Sequence, residues 1–364
     1  MKYKDDQRIV LTLDAGGTNF VFNAIQGGQS ITEPIREPAE PKDLNKCLHN
    51  TVTGFSKLQK QIDHKPVGIS FAFPGPADYR KGIIGDLPNL PAFRGGVALG
   101  PYLEKEFNLP VFINNDGSLY AYGEALVGYL PDINAKLEAA GSPKQYRNLV
   151  GFTLGTGLGA GIVHNGELMI GDNSNAGEVW ILRDILDPGR NIEESVSIRA
   201  VQREYVKKTG ADPAPSPKDI YEIAIGEKQG DQDAARHAYH LMGKALGEVA
   251  SIVATLIDGI MVIGGGVSGA GSIILPSVLE VMNSSFEIDG NKVPRLVTNN
   301  FNLEDEDELE EFIKGKSRLI KIPESNEQIK YDPEKRIGIG VSKIGTSKAI
   351  SAGAYAFALN ELDK

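Results

Sequence analysis

The chain has 364 residues, 41% of them hydrophobic and 24% charged, an ordinary globular makeup that is long enough for two domains. Its 38 basic and 48 acidic side chains leave a net charge of −10, which gives no field to attract nucleic acid or anionic lipid. The single cysteine, Cys47, excludes an internal disulfide and a cysteine-rich zinc cluster, and fits a reducing compartment.

No apolar stretch follows Met1, so no secretory leader is expected. Arg8 to Asp14, rich in β-branched and apolar residues, predicts a buried strand. Ala15-Gly-Gly-Thr-Asn19 turns it into a second strand, Phe20 to Ile25, and the pair reads as an antiparallel hairpin. Val67 to Phe73 is a strand closed by Pro74-Gly-Pro76. Val111 to Asn114 is another, followed by Asp116 and a helical pattern to about Val127. Pro131 to Arg147 reads as a surface loop or short helix. Asn148 to Leu154 then repeats the opening pattern of strand, glycine turn (Gly155 to Gly161) and returning strand. Helical patterns cover Ile192 to Lys208, Pro217 to Ile225 and Asp231 to Ile257. The most apolar long stretch, Val249 to Ile263, is interrupted by Asp258 and Gly259 and is too short to span a bilayer. A strand from Gly259 to Ile263 runs into Gly264-Gly-Gly-Val-Ser-Gly-Ala-Gly271 and a further helix. The acidic run between Leu303 and Phe312 reads as a solvated helix face or loop, and a small-residue helix, Thr346 to Leu359, closes the chain. The repetition predicts an internally duplicated α/β architecture with a cleft between its halves. The expected setting is the cytoplasm, with no membrane or nucleic-acid partner.

The 42 glycines are bunched rather than spread. Gly16-Gly17 taken alone is an ordinary hairpin turn, because glycine reaches positive φ without steric cost. Gly155-Thr156-Gly157 opens more backbone, and bare N–H groups in such turns suit phosphate oxygens. Gly264 to Gly269 satisfies G-x-G-x-x-G, with Glu287 or Asp289 at the distance of an acidic ribose ligand, so a nicotinamide-dependent oxidoreductase is one reading. Three glycine turns, each after a strand, suit a single nucleotide better: two hold phosphates and one holds adenosine. Asp14 would then give Mg²⁺ a hard oxygen through its waters, and Thr18 and Thr156 would offer hydroxyls to the same phosphates. Asp116 has two readings by position, a helix cap or a base that takes the proton of an attacking hydroxyl.

Leu13-Asp-Ala-Gly-Gly-Thr-Asn19, Phe73-Pro-Gly-Pro76, Leu87-Pro-Asn-Leu90, Asn114-Asn-Asp-Gly117, Gly155-Thr-Gly-Leu-Gly159, Ala176-Gly-Glu178 and Ile263-Gly-Gly-Gly-Val-Ser268 follow one another in this order. Together they resemble the ROK family of sugar kinases and sugar-responsive repressors, within the superfamily of sugar kinases, acetate kinase and actin. The resemblance implies a two-lobed actin-like ATPase (ribonuclease H-like) fold. Residues 1–118 with 346–364 would form the small lobe and 119–345 the large one. It implies ATP and Mg²⁺, and phosphorylation of a hexose or N-acetylhexosamine at the 6-hydroxyl with Asp116 as general base. Asn89, Asn115, Glu178 and Glu193 would bind sugar. Gly16, Gly17, Thr18, Thr156, Gly157, Gly265 and Gly266 would bind the nucleotide, and Asp14 the metal.

Many members of that family follow Ala-Gly-Glu with Gly-His and then three cysteines around structural zinc. Here Trp180 and Ile181 stand in place of Gly-His, and Leu182 to Asn191 holds no cysteine. No zinc is therefore expected, Trp180 is a candidate apolar platform for a sugar, and the loop should be held by packing. His237 and His240, three apart on a helix, read as surface or core residues rather than metal ligands. A catalytically impaired sugar-binding regulator is the alternative within the family. A repressor would need a DNA-binding domain ahead of Asp14, where 13 residues stand. A homodimer is left open.

Overall fold

The structure, a computed structural model, describes residues 3–16, 18–86 and 90–364. The chain divides into two compact units, one of Met1–Gly128, Glu167–Gly177 and Ile344–Lys364, the other of Tyr129–Gly166 and Glu178–Lys343.

In the first unit, β1 (Val10–Ala15) and β2 (Asn19–Gln26) form the expected antiparallel hairpin, with Asp14 opposite Val21. β3 (Ile35–Pro38) runs antiparallel along the other side of β2. Helix α1 (Leu44–Gln59) is capped by Asp43, whose carboxylate accepts the Lys46 N–H at 3.1 Å. It carries the chain to β4 (Gly68–Ala72), parallel to β1, and α2 (Leu99–Phe107) carries it on to β5 (Val111–Asn114), parallel to β4. Phe22 and Phe55 meet edge to face at 4.9 Å in the core beneath this sheet. Gly54 makes that contact possible, since a Cβ there would stand 2.3 Å from the Phe22 ring.

Helix α3 (Asp116–Leu126) packs against the C-terminal helix, Thr346–Leu362, almost backbone to backbone. A Cβ on Gly123 would lie 1.9 Å from the Ala349 carbonyl oxygen, and one on Gly353 would lie 2.0 Å from that of Leu119. This contact corrects the boundary expected at residue 118: α3 belongs whole to the first unit, whose first segment ends at Gly128. Glu167–Gly177 also joins the first unit, where the sequence reading placed it in the large lobe. There the Ser174 hydroxyl accepts the Tyr79 N–H at 3.2 Å, and Asn360 donates to the Glu167 carboxylate at 2.8 Å.

The second unit opens with α4 (Tyr129–Ala139), a helix where a loop or short helix was expected. The Asn134 side chain then holds the following turn, donating to the Tyr146 carbonyl and accepting its N–H. β6 (Leu149–Leu154) and β7 (Leu158–His164) repeat the antiparallel hairpin. The helical pattern expected over Ile192 to Lys208 is split into a 3₁₀ turn, Ile192–Glu194, and α5 (Ile198–Thr209), which begins at the Ser197 cap. After α6 (Pro217–Ile225) comes α7 (Gln232–Ile257), long and apolar enough by composition to cross a bilayer. Its residues Ala238, Met242, Ala245, Leu246 and Val249 are buried inside the unit instead.

β8 (Ile260–Gly264) lies parallel to β6, and α8 (Gly271–Met282) follows it. The acidic run forms α9 (Glu306–Lys314), capped by Asp305, with Glu306, Asp307 and Glu308 facing the positive end of the helix dipole. Strands β9 (Asn299–Asn302) and β10 (Arg336–Val341) give the order β7–β6–β8–β10–β9, all parallel after the hairpin. The sequence reading missed β10 because Gly338 and Gly340 interrupt its apolar pattern. A Cβ on Gly338 would lie 2.3 Å from Leu303. The sheet of each unit thus begins with a hairpin and adds parallel strands, the duplicated α/β pattern expected.

Candidate active site

In the first unit the carboxyl ends of β1, β4 and β5 lie abreast, with Asp14 in register with Ala72 and Ala72 with Asn114. Ligands of parallel sheets bind at this edge, where the strands deliver their loops. Asp14 is exposed there, and so is Thr18. Only glycine fits at position 16, since a Cβ would stand 2.8 Å from the Asn19 carbonyl oxygen. Gly17 and Asn89 lie outside the described residues.

Asp116 follows β5 by two residues and opens α3. The capping role weighed for it falls to Asn115, whose side-chain oxygen accepts the Gly117 N–H at 2.8 Å. Asp116 accepts the same N–H at 2.9 Å. Its carboxyl is pushed above the ordinary range, first by desolvation among surrounding protein atoms and further by the Asp14 charge. The backbone N–H groups of Gly117 and of Asp116 itself pull the other way. Asp116 keeps exposed surface, so water offsets part of that desolvation.

In the second unit the turn between β6 and β7 closes on itself, Gly155 N–H donating to the Gly157 carbonyl at 3.0 Å. Glu193 grips this turn, its carboxylate accepting the Leu158 N–H at 3.1 Å. A Cβ on Gly157 would come within 2.1 Å of that carboxylate, so a side chain at 157 would displace Glu193 from the turn. Thr156 is exposed at the tip, and its carbonyl accepts from Arg199 at 3.3 Å. Arg199 was not anticipated; no motif marks it, and it is found only because α5 starts beside the turn.

The third glycine turn is built onto the second. Gly265 has φ near +89°, and a Cβ there would lie 2.4 Å from the Leu154 carbonyl oxygen. That same carbonyl accepts the Val267 N–H at 3.1 Å. Glu178 accepts the indole N–H of Trp180, which is about one third exposed. Glu287 and Asp289, the acids a dinucleotide site would need, sit on an exposed antiparallel ribbon (Ser285–Ile288 with Asn291–Pro294), not at the end of a parallel strand. The glycine run therefore lacks the acidic partner of a nicotinamide site.

A Cβ on Gly155 or Gly266 would meet nothing within 4 Å, so both stretches of backbone border open space. Asp14 offers the exposed, hard carboxylate that Mg²⁺ accepts alongside water and phosphate. Among the described residues no cluster of three or more His, Cys, Asp or Glu side chains is placed to hold a metal by itself.

A model of the ROK family matches residues 10–302. The solved glucokinase of Parabacteroides distasonis ATCC 8503 is 53% identical, with a TM-score of 0.92 and 99% of each chain covered. The N-acetyl-D-glucosamine kinase of Vibrio cholerae is 26% identical over 270 residues, 70% of this chain and 83% of that one. The solved ROK family glucokinase of Streptomyces griseus, in complex with glucose and AMPPNP, shares the fold at a TM-score of 0.60 and 17% identity, over 96% of this chain and 98% of that one. The chain belongs to the ROK family and has its actin-like ATPase fold, two α/β units of one pattern. Within that family it is a sugar kinase.

Proposed function

We propose that this kinase transfers the γ-phosphoryl group of ATP to the 6-hydroxyl of a hexose or N-acetylhexosamine. The observation that carries the proposal is Asp116, a carboxyl raised above its ordinary range beside Asp14 at the carboxyl edge of β1, β4 and β5. A carboxylate raised in this way takes a proton more readily than an ordinary one. The hydroxyl oxygen attacks the γ-phosphorus, the bond to the β,γ-bridging oxygen breaks, and the hydroxyl proton passes to Asp116 as ADP leaves. Mg²⁺, when bound through Asp14, would neutralise charge on the phosphate oxygens.

Asn89, Asn115, Glu178 and Glu193 are the sugar ligands in this reading, and Gly16, Gly17, Thr18, Thr156, Gly157, Gly265 and Gly266 the nucleotide ligands. Asn115 is well suited, because the cap that fixes its backbone also fixes its side chain next to the base. Trp180 presents an exposed indole beside Glu178, a surface that suits the apolar face of a sugar ring. A coupled ADP-release assay over a panel of hexoses and N-acetylhexosamines tests the proposal, with phosphorus NMR locating the phosphate. Turnover with no sugar in the panel, turnover of a 6-deoxy sugar, or an unchanged kcat in Asp116→Asn would each overturn it.

A further inference from the structure

We infer that Asp184 and Ser195 form a clasp that positions Glu193 against the glycine turn between β6 and β7. The inference rests on the proposed function of that turn, and it assigns two positioning residues outside every motif in the sequence.

Asp184 is a fully buried carboxylate, on the loop from Leu182 to Asn191 that was expected to be held by packing. Packing alone does not hold it: Ile185 and Leu186 are about half exposed. Hydrogen bonds do. Arg183 pairs with Asn191, the Asp184 N–H donates to the Arg190 carbonyl at 3.0 Å, and the Ile192 N–H donates to the Leu182 carbonyl at 2.7 Å. The Asp184 carboxylate accepts the Leu186 N–H at 2.9 Å and the Ser195 hydroxyl at 2.5 Å. A buried carboxylate needs such donors, and bonds to a charged acceptor are the strong ones.

Ser195 lies two residues past Glu193, in the same tight turn, its own N–H donating to the Ile192 carbonyl at 3.0 Å. The segment from 193 to 199 then runs along the glycine turn and touches it three times. Glu193 accepts from Leu158 N–H at 3.1 Å, Ile198 N–H donates to the Gly155 carbonyl at 2.9 Å, and Arg199 donates to the Thr156 carbonyl at 3.3 Å. The anchored Ser195 sits between these contacts. With it pinned to Asp184, Glu193 has one position, and the turn it grips has one shape. Without the pin, Glu193 is held only by Arg199, 3.5 Å from its carboxylate, and its hold on the Leu158 N–H weakens.

The test is steady-state kinetics and nucleotide binding on the full chain. Ser195→Ala should raise KM for sugar and for ATP about ten-fold, with kcat changed far less, since one charge-assisted bond is lost and the base is untouched. Ser195→Thr, which keeps the hydroxyl, should restore wild-type KM values. Combined with Glu193→Gln, Ser195→Ala should add no further loss, because the clasp acts through Glu193. A merely structural bond would lower Tm, leave both KM values unchanged well below the transition, and show additive effects with Glu193→Gln; that result overturns the clasp. If Ser195→Ala does not fold, Asp184→Asn carries the same comparison, as its amide keeps the shape and loses the charge. If no sugar stimulates the wild-type chain, the proposed function fails first. The clasp is then read from Mg-ADP binding by thermal shift, where Ser195→Ala should still weaken binding about ten-fold and an unchanged affinity refutes it.

Discussion

Replacing Gly265 with alanine should damage stability and nucleotide affinity together, and the structure gives the size of the effect. The residue sits at φ near +89°, where an L side chain costs about 1–2 kcal/mol. The new Cβ would also stand 2.4 Å from the Leu154 carbonyl oxygen and 2.7 Å from its nitrogen, both backbone atoms that cannot rotate aside. Relieving such an overlap typically costs a further ~1–3 kcal/mol through backbone shifts. The sum, about 2–5 kcal/mol, corresponds to a fall in Tm of about 5–15 °C for a unit of this size. The displaced Leu154 carbonyl also holds the Val267 N–H and directly precedes Gly155, so two glycine turns would move at once. Differential scanning fluorimetry with and without Mg-ADP, and KM for ATP, measure both effects; KM should rise at least about ten-fold. Gly266→Ala is the internal control for stability, because a Cβ there meets nothing within 4 Å. A Gly265→Ala protein with Tm within about 2 °C of the parent and an unchanged KM for ATP would refute the reasoning.

Asp116→Asn should lower kcat by about 10²–10⁴ while sugar still binds, measured by ADP release and by equilibrium sugar binding. Because the Asp116 carboxyl is raised in the folded protein, kcat/KM should climb with pH to a midpoint above the ordinary carboxylate range, and the Asp14 charge is part of the reason. The same shift has a stability sign: a raised folded value favours folding below the unfolded value, and that gain is lost as pH rises through the folded one, so Asp116→Asn should raise Tm at neutral pH. Arg336→Met should cost about 3–5 kcal/mol, seen in urea unfolding, since it strands the buried Asp332 carboxylate without its cation, while Glu334 keeps Lys316 at 3.0 Å. Gly123→Ala should lower Tm by separating α3 from the C-terminal helix, because its Cβ would overlap the Ala349 carbonyl.

Most elements were legible because they carry local signals. The hairpin β1–β2, the β6–β7 hairpin and helix α6, found at Pro217–Ile225 as expected, are written in apolar periodicity, glycine turns and a Ser216 cap. The 3₁₀ break before α5 was not legible, because Ile192 to Lys208 has helical spacing; the structure ends one turn at Glu194, bonds Ser195 to a buried carboxylate eleven residues away and starts the next helix at the Ser197 cap. Strand β10 escaped for the opposite reason: its glycines erase a pattern that close packing against Leu303 requires.

The sequence by itself determined the family, the three glycine turns and the pairing of Asn115 with Asp116, since each is a short run whose chemistry depends on neighbours in the chain. Only the tertiary structure decided that Asn115 caps α3 while Asp116 stays beside Asp14, that Gly265 packs on the strand leading to Gly155, and that Glu193 grips the turn at Leu158. Apart from the cap, which spans two residues, those are contacts between residues 35 to over 100 positions apart, and no local periodicity encodes them. They arise when parallel strands bring their carboxyl ends to one edge and deliver distant loops to the same place.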